Sequence, residues 1–406
     1  MPIDLKKVIT QIRNLGTQDL KETNRTRLEE TFKLFEKAKG EKDKLTKLVI
    51  EAEHLGKSGF YFAIPDNEEE FGIIVEGIKD FSSSHVVVAT DGSQINPSSH
   101  EFTSACLINT GLIAIPYYKK DIPVTLASEP IAYSSTEELN PNYFEGVYDE
   151  DLISYERTLK EIEELVKLAK SYQKYDIPVL ALLDGTLIHW HLGKFNSFFI
   201  EQFLNRFSNA MNELKSLNIP VVSFLSNSRS NDLINMLKIY NCKFESVDCK
   251  KNCSTFNSRN LPCNPAPDYN PVLDRKLVEK YFINVKASIG SRTSLFRSNS
   301  KILNMYEEDL KIYFFYINTG TEIARVELPK YVAKNKEMLS FVQNAIALQC
   351  KVGFGYPVTL SEAHHQAVVT RKDREIFYDL IKNQNLKTNS KVQISNKELR
   401  KRISFV

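Results

Sequence analysis

Apolar residues recur at helical spacing over residues 18–55, in a segment that is otherwise charged. Near residue 86 the pattern changes to short continuous apolar runs, residues 86–89 and 179–183, which are typical of buried strands and predict a second strand over 178–184. The segments over 151–172 and 195–217 return to helical spacing. Because strands alternate with helices, the sequence predicts an α/β fold in which helices flank a mixed sheet, preceded by an N-terminal helical arm.

Turn residues divide the remainder of the chain. Asn109-Thr110-Gly111 predicts a turn between strands over 101–108 and 112–118, and Asn318-Thr319-Gly320 predicts a hairpin between 311–317 and 322–328. Further predicted elements are a strand over 219–225 and helices over 230–240, 335–350 and 361–381. The predicted domains are an arm over 1–80, a main α/β domain over 81–385 that contains a Cys-rich loop insertion over 242–271, and a basic tail over 386–406.

Composition narrows the class of protein. Of the 406 residues, 42% are apolar and 26% are charged, with 15 Gly and 15 Pro, which excludes collagen-like and disordered chains. No apolar run approaches the ~20 residues of a membrane span, and residues 1–16 lack an apolar signal-peptide core. We therefore expect a soluble, cytoplasmic protein without a membrane partner.

The formal net charge of +2 argues against a purely electrostatic DNA coat, so local charge matters more. Residues 286–301 contain four basic side chains and no acid: Lys286, Arg292, Arg297 and Lys301. We expect these four to contact nucleic-acid phosphates, the alternative being a solvated protein face.

Two aspartates occupy equivalent places in the pattern. Asp91 and Asp184 each end an apolar run and are each followed by Gly and then a hydroxyl residue. Carboxylates at strand ends open into the crevice where α/β sheets bind ligands. If the strands are neighbours, the carboxylates repel each other, and a divalent cation removes that cost. Because Asp-Gly is also the commonest turn dipeptide, two ordinary turns are the alternative.

The helix between the aspartates carries several glutamates, of which Glu161 and Glu164 lie one turn apart, so either could face the sheet. His364 follows Ser361, a good N-cap that would place it at the third position of a helix. An imidazole there could ligate Mn²⁺, although most lone helix histidines are structural or exposed. Ribonuclease H-like nucleases assemble a divalent-metal site from this order of strand Asp, helix Glu, strand Asp and a residue on a late helix.

From about residue 86 to residue 378 the chain resembles the NurA nucleases, and most closely their longer bacterial form with a cysteine-bearing insertion. The resemblance rests on five motifs: Thr90-Asp91-Gly92-Ser93-Gln94-Ile95, Arg157-x-x-x-Glu161, Leu183-Asp184-Gly185-Thr186-Leu187, Ala324-Arg325-Val326-Glu327-Leu328-Pro329, and Gly355-Tyr356-Pro357 followed by Ala363-His364. Each motif is weak alone, and their shared order is specific.

The resemblance implies a ribonuclease H-like fold, a homodimer, and 5′→3′ exonuclease and single-strand endonuclease activity that depends on Mn²⁺, with Mg²⁺ as the alternative ion. It implies DNA ends as substrate, single- and double-stranded, and a hexameric HerA-type ATPase as partner in end resection for repair. It also implies metal ligation by Asp91, Glu161, Asp184 and His364, with Tyr356 as a further catalytic residue and Glu164 as the alternative to Glu161.

Two other functions fit parts of the pattern. A catalytically vestigial DNA-end adaptor would load the ATPase without cleaving, although all the expected ligands are present. A phosphatase for small phosphomonoesters would use strand-end aspartates, but it would not explain the basic segments.

Four of the six cysteines fall within 22 residues with the spacing C-x6-C-x3-C-x9-C: Cys242, Cys249, Cys253 and Cys263. This spacing lacks the CxxC pairs of common zinc modules. The alternatives are a structural zinc or iron–sulfur site and reduced loop thiols. His189 and His191 are interpreted as packing or surface residues.

Overall fold

The computed structural model describes residues 4–13, 18–98, 104–139, 149–266 and 272–387. The predicted basic tail lies outside these residues from 388 onward. The helices within the described residues are α1 (Leu5–Arg13), α2 (Gln18–Gly40), α3 (Lys42–Leu55), α4 (Thr136–Leu139), α5 (Asp149–Tyr172), α6 (Ser197–Ser216), α7 (Asp232–Tyr240), α8 (Cys249–Asn252), α9 (Asp274–Val285), α10 (Lys330–Ala333), α11 (Lys336–Val352), α12 (Val358–Ala367) and α13 (Arg371–Lys387).

The strands within the same residues are β1 (Ala63–Pro65), β2 (Ile74–Val75), β3 (His85–Ile95), β4 (Cys106–Tyr117), β5 (Thr125–Tyr133), β6 (Val179–Asp184), β7 (Val221–Leu225), β8 (Arg292–Thr293), β9 (Phe296–Ser298), β10 (Ile312–Asn318) and β11 (Ile323–Pro329). The mixed α/β class predicted from the sequence is confirmed. No helix among the described residues combines the length and the apolar character that a membrane crossing requires.

The chain forms two compact units, each with its own hydrophobic core. The first contains residues 1–76, 226–301 and 313–326, and the second contains 77–225, 302–312 and 327–406. In the first unit α2, α3, α7 and α9 bury their apolar faces together with β1, β9 and β10. In the second unit α5 and α6 pack on β3, β6 and β7. The predicted domain boundaries after residues 80 and 385 stay a prediction.

The sheet of the second unit positions the candidate site. Its strands run in the order β5-β4-β3-β6-β7. The first three form an antiparallel meander, whereas β6 is parallel to both β3 and β7. Parallel neighbours need a crossover connection, which α5 provides before β6 and α6 provides before β7. The carboxyl ends of β3 and β6 therefore meet at one edge of the sheet.

The predicted turn at Asn109-Thr110-Gly111 is wrong, because β4 runs through these residues without a break. Gly111 pairs with Asp91 on β3, and a Cβ at Gly111 would overlap the backbone of α12 at Ala363 and Ala367. The glycine thus permits a close helix–strand approach rather than a turn. Likewise, Asp91-Gly92 lies inside β3, whereas Asp184 ends β6 and Gly185 turns the chain with a φ of +91°.

The predicted helix over 361–381 is two helices, α12 and α13, which are separated at residues 368–370. The predicted N-cap at Ser361 is also wrong, because α12 begins at Val358 and Ser361 donates its backbone N–H to the Pro357 carbonyl. The first-turn residue Thr359 instead donates both its N–H and its hydroxyl to Gln349 Oε1, at 3.0 and 2.7 Å. His364 therefore lies in the second turn of α12.

Candidate active site

The carboxylates of Asp91 and Asp184 lie side by side in the carboxyl-terminal parts of β3 and β6. Thr90 is paired with Leu183 in the parallel register, so the next residues, Asp91 and Asp184, are neighbours across the two strands. Paired residues of parallel strands present their side chains on the same face. The sequence pattern alone could not show that these strands are adjacent, and the register supplies that fact.

Glu161 reaches the same edge from α5. The hydroxyl of Thr90 donates to the Glu161 carbonyl at 2.8 Å, which fixes the helix against β3 at this turn. Gly92 makes the approach close, because a Cβ there would overlap Glu161 Oε1 and Arg157 Cγ. The Asp-Gly pair of β3 thus serves two purposes: Asp91 supplies a carboxylate and Gly92 leaves room for a second one.

Two of these carboxylates, Glu161 and Asp184, have raised pKa values. Burial raises the pKa of Glu161 to about 7, with Arg157 opposing and with Asp91 and Asp184 adding to the rise. The pKa of Asp184 is also raised, first because surrounding protein excludes water from the carboxylate and then because Asp91 is near. Like charges in a partly buried site are unfavourable unless a cation or protons neutralise them.

Three other glutamates of α5 have partners elsewhere. Glu164 pairs with Lys167 at 2.6 Å. Glu156 and Glu163 both bind Arg206, at 2.6 and 2.7 Å, and so connect α5 with α6. The electrostatic influence of the two aspartates reaches Glu161, which favours Glu161 over Glu164 as the helix carboxylate of the cluster.

Arg157 lies one helical turn before Glu161, with its Nε 3.2 Å from Glu161 Oε1. This ion pair lacks hydrogen-bond geometry, since the buried Nε has no hydrogen-bond partner among the described residues. The sequence motif contained Arg157 but assigned it no role, and the structure adds a cation at the edge of the carboxylate cluster.

Two further predicted residues complete the site. His364 Nδ1 lies 2.7 Å from Asp91 Oδ2, whereas the neighbouring His365 faces Glu362 at 3.7 Å. The Tyr356 hydroxyl lies near Asp184 and opposes the rise in the pKa of that carboxylate, while burial together with the charge of Asp184 raises the tyrosine's pKa. The structure therefore brings Asp91, Glu161, Asp184, Tyr356 and His364 together.

Helix α12, which carries His364, is held on the sheet through its last residue. The carbonyl of Ala367 accepts hydrogen bonds from the Ser93 hydroxyl and from Asn109 Nδ2, the latter at 2.8 Å. Ser93 follows Asp91-Gly92, so the hydroxyl residue of that motif docks the helix rather than binding a ligand. The pattern of residue types did not indicate this role.

Glu327 supports the other strand end. Its side chain is buried, and its Oε2 accepts from the Thr186 hydroxyl at 2.7 Å and from the Leu187 N–H at 2.9 Å. These bonds fix the turn that follows Asp184. Glu327 lies 143 residues from Asp184 in the sequence, and only its place in a family-like motif could have indicated it.

The donor set fits a divalent cation in its chemistry, because three carboxylates and an imidazole are the oxygen and nitrogen ligands that Mn²⁺ accepts. Within the described residues, however, no three His, Cys, Asp or Glu side chains are gathered as metal ligands are. Asp91 is instead turned to His364, and Glu161 to Arg157. The three carboxylates and the imidazole are therefore suitable as ligands of a metal ion. In this structure, however, Asp91 is hydrogen-bonded to His364 and Glu161 is ion-paired with Arg157.

The predicted phosphate contacts divide into two pairs. Arg292 is buried and bound by Glu69 at 2.5 Å, and Arg297 is bound by Glu53 at 2.6 Å, so the structure gives both guanidinium groups protein partners. The expectation of phosphate contacts loses its support at these two arginines. Lys286 and Lys301 are exposed. All four lie in the first unit.

The four clustered cysteines are free thiols. The Cys263 carbonyl accepts from Asn241 at 2.9 Å, beside Cys242, and Cys253 follows Cys249 by one turn. Burial, with the nearby thiols adding, raises the pKa of Cys263 to about 11, which disfavours the thiolate that a metal needs. A zinc or iron–sulfur site here stays a prediction.

The histidines interpreted as packing residues do pack. The buried His189 ring contacts the rings of Phe203 and Phe207, with centroids at 4.9 and 4.7 Å. His191 stacks on Tyr155 at 5.2 Å.

Comparison with known proteins agrees with the resemblance. The family model of the NurA domain matches residues 85–369. Among solved structures the chain is similar to the crystal structure of the NurA nuclease from Sulfolobus solfataricus, with 12% identity, a TM-score of 0.46, and coverage of 78% of this chain and 88% of that chain. No curated protein sequence matches. Because the family model covers more than half of the chain, the protein belongs to the NurA family.

Proposed function

We propose that this protein is a divalent-metal-dependent DNA nuclease that hydrolyses phosphodiester bonds at the edge of β3 and β6. The observation that carries the proposal is the convergence of Asp91, Glu161 and Asp184, with His364 and Tyr356 beside them, in a chain of the NurA family. Membership of the family supports nuclease activity. The cluster supports the place where it occurs.

We also propose a ribonuclease H-like architecture for the second unit. A three-stranded antiparallel meander is followed by two parallel strands, and the carboxylates lie on β3, on β6 and on the helix between them. The order of strand Asp, helix Glu, strand Asp and late-helix His along the chain supports this assignment.

Each residue has a distinct part in the proposed reaction. Asp91, Glu161 and Asp184 would hold the cation, with Mn²⁺ preferred and Mg²⁺ as the alternative. Tyr356, whose hydroxyl lies near Asp184, would orient that carboxylate. Because Nδ1 of His364 is engaged by Asp91, Nε2 is the ring nitrogen left to bind the cation or to assist the leaving oxygen. When bound, a divalent cation neutralises charge on the phosphodiester and lowers the pKa of an attacking water.

The family relationship supports finer proposals about the biological setting. These are 5′→3′ exonuclease and single-strand endonuclease activity, a homodimer, and action in the cytoplasm with a hexameric HerA-type ATPase during resection of DNA ends. Lys286 and Lys301 are the exposed basic residues that we propose as contacts to DNA phosphates.

The test is cleavage of end-labelled linear single- and double-stranded DNA by the purified protein in Mn²⁺, in Mg²⁺ and in EDTA. Asp91→Asn is compared with Glu164→Gln, which changes a carboxylate that pairs with Lys167 and lies one turn from Glu161. We expect metal-dependent cleavage by the wild type and by Glu164→Gln, and none by Asp91→Asn.

Retained metal-dependent cleavage by a clean Asp91→Asn preparation would contradict the proposed site. Salt-sensitive DNA binding without any cleavage, even with the ATPase added, would support the vestigial adaptor instead.

A further inference from the structure

The loop before Tyr356 presents an aromatic side chain that the fold does not use. Phe354 is 92% exposed, more than any other large hydrophobic residue among those the structure describes. A phenylalanine side chain normally stabilises a protein by leaving water. At this position the folded protein gains almost nothing from the ring.

The backbone at Phe354 is also strained. Its φ is +55°, in the left-handed region that glycine or asparagine adopts far more readily than a bulky residue. The conformation is imposed from both sides, because Gly353 N–H donates to the Gln349 carbonyl at 2.9 Å and Gly355 N–H to the Cys350 carbonyl at 2.7 Å. Strain of this kind, kept at a residue that buries nothing, points to a function outside the folded core.

The position of Phe354 close to the candidate site indicates the kind of ligand that its ring would bind. Phe354 precedes Tyr356 by two residues, so their Cα atoms are at most about 7 Å apart, and the Tyr356 hydroxyl lies near Asp184 of the candidate site. Lys351, on the preceding helical turn, is exposed and carries a positive charge. An exposed aromatic side chain and an exposed cation in the segment that leads to Tyr356 match the groups that bind an unpaired stretch of nucleic acid.

We propose that Phe354 is a stacking platform for an unpaired base of a DNA strand bound at the candidate site. The inference rests on the proposed nuclease function for the position of the bound strand, but the stacking itself requires only binding. Base stacking tolerates any base because every base has an aromatic face, so Phe354 would select unpaired strands without selecting sequence.

The test is equilibrium binding of a labelled single-stranded oligonucleotide in EDTA, where no cleavage occurs. Phe354→Asn removes the ring and suits the left-handed backbone, Phe354→Trp keeps a ring, and Val352→Ala is the matched control for an exposed apolar side chain of the same segment. We expect roughly 5- to 150-fold weaker binding for Phe354→Asn, the range that stacking of one base gives, and near wild-type binding for the other two variants. We expect the melting temperature of Phe354→Asn to be unchanged or raised.

A second arm replaces single nucleotides by abasic sites. The wild type should lose affinity at one position of the strand, and Phe354→Asn should be insensitive there because the two changes remove the same contact. Equal binding by Phe354→Asn and the wild type, or equal abasic sensitivity, would overturn the inference, whether or not the protein cleaves. If Phe354→Asn binds the oligonucleotide more weakly and is insensitive to the abasic site, but the wild type does not cleave DNA, the stacking inference is supported and the nuclease proposal fails.

Discussion

Two groups of charged residues illustrate how differently the two units use charge. In the first unit Arg292 and Arg297 are each held by a carboxylate, from Glu69 and Glu53. In the second unit Asp91, Glu161 and Asp184 lie near one another, and burial together with the nearby aspartate charge raises the pKa of Glu161 and of Asp184. Paired opposite charges stabilise a fold when their hydrogen bonds are complete. Gathered like charges reduce stability, and their presence indicates a ligand that neutralises them.

The largest expected effect is on cleavage. Glu161→Gln removes one of the gathered carboxylates, so we expect the rate of DNA cleavage to fall by at least about 100-fold. The melting temperature in EDTA should not fall, because the change removes a repulsive charge. Glu164→Gln should keep full activity. Equal loss of activity in both variants would break the comparison, since the paired and the gathered carboxylates would then behave alike.

The next largest effect is on the free energy of unfolding, and it concerns the paired arginines of the first unit. Arg292→Met leaves Glu69 without its buried partner, and we expect the free energy of unfolding to fall by about 3–5 kcal/mol. Arg297→Met breaks an ion pair that is about 28% exposed, so the loss should be about 1 kcal/mol or less. Urea denaturation followed by fluorescence measures both. A strong, salt-dependent loss of DNA binding by folded Arg292→Met would instead return this residue to the nucleic-acid interface.

Glu327→Gln sharpens the comparison, because this buried carboxylate is a positioning residue outside the gathered group. It holds the Thr186 hydroxyl and the Leu187 N–H. We expect cleavage to fall by roughly 10- to 100-fold, as for other supporting residues, through kcat more than through KM. A shift in KM with unchanged kcat would contradict this positioning role, and Glu327→Asp should recover less activity than the wild type because its carboxylate is withdrawn.

The smallest expected effect is on the pH dependence of stability. It concerns His189, a buried titratable group outside the candidate site. Burial lowers the pKa of His189 to about 3 from 6.5. Because the unfolded state binds the proton more readily, the stabilising contribution of neutral His189 is present above pH 6.5 and is lost as the pH falls toward 3. We expect a loss approaching 1 kcal/mol per pH unit between pH 6 and 4, with a shallower slope in His189→Phe. Parallel pH profiles of the two proteins would show that another group dominates.

Local sequence patterns predicted the elements that carry the site. The apolar runs identified β3 and β6, the helical spacing identified α5, and the aspartates that follow the apolar runs identified two of the carboxylates, although Asp91 lies inside β3 rather than at its end. The hairpin at Asn318-Thr319-Gly320 was also predicted, since β10 ends at Asn318 and β11 begins at Ile323. These features depend on residues close together in the chain, where spacing carries the information.

What the sequence could not supply depends on distant partners. Asn109-Thr110-Gly111 consists of residue types that are common in turns. Gly111 nevertheless lies in β4, where the absence of a side chain lets the backbone of α12 approach the strand. Arg292 lies in a basic segment of the kind that contacts phosphates, but Glu69, 223 residues away in the sequence, forms an ion pair with it. Spacing left Glu161 and Glu164 equivalent, and the folded protein distinguishes them because Glu161 lies against Gly92 and near the aspartates whereas Glu164 pairs with Lys167. Long-range packing and pairing decide such positions, and periodicity does not encode them.

The most direct test of the gathered carboxylates is Mn²⁺ binding in the absence of DNA, measured by titration with detection of free Mn²⁺ by electron paramagnetic resonance. We predict saturable binding by the wild type and by Glu164→Gln, and its loss in Asp91→Asn and Asp184→Asn proteins that remain folded. Unchanged Mn²⁺ affinity in both aspartate variants would contradict the proposal that these carboxylates form the metal site.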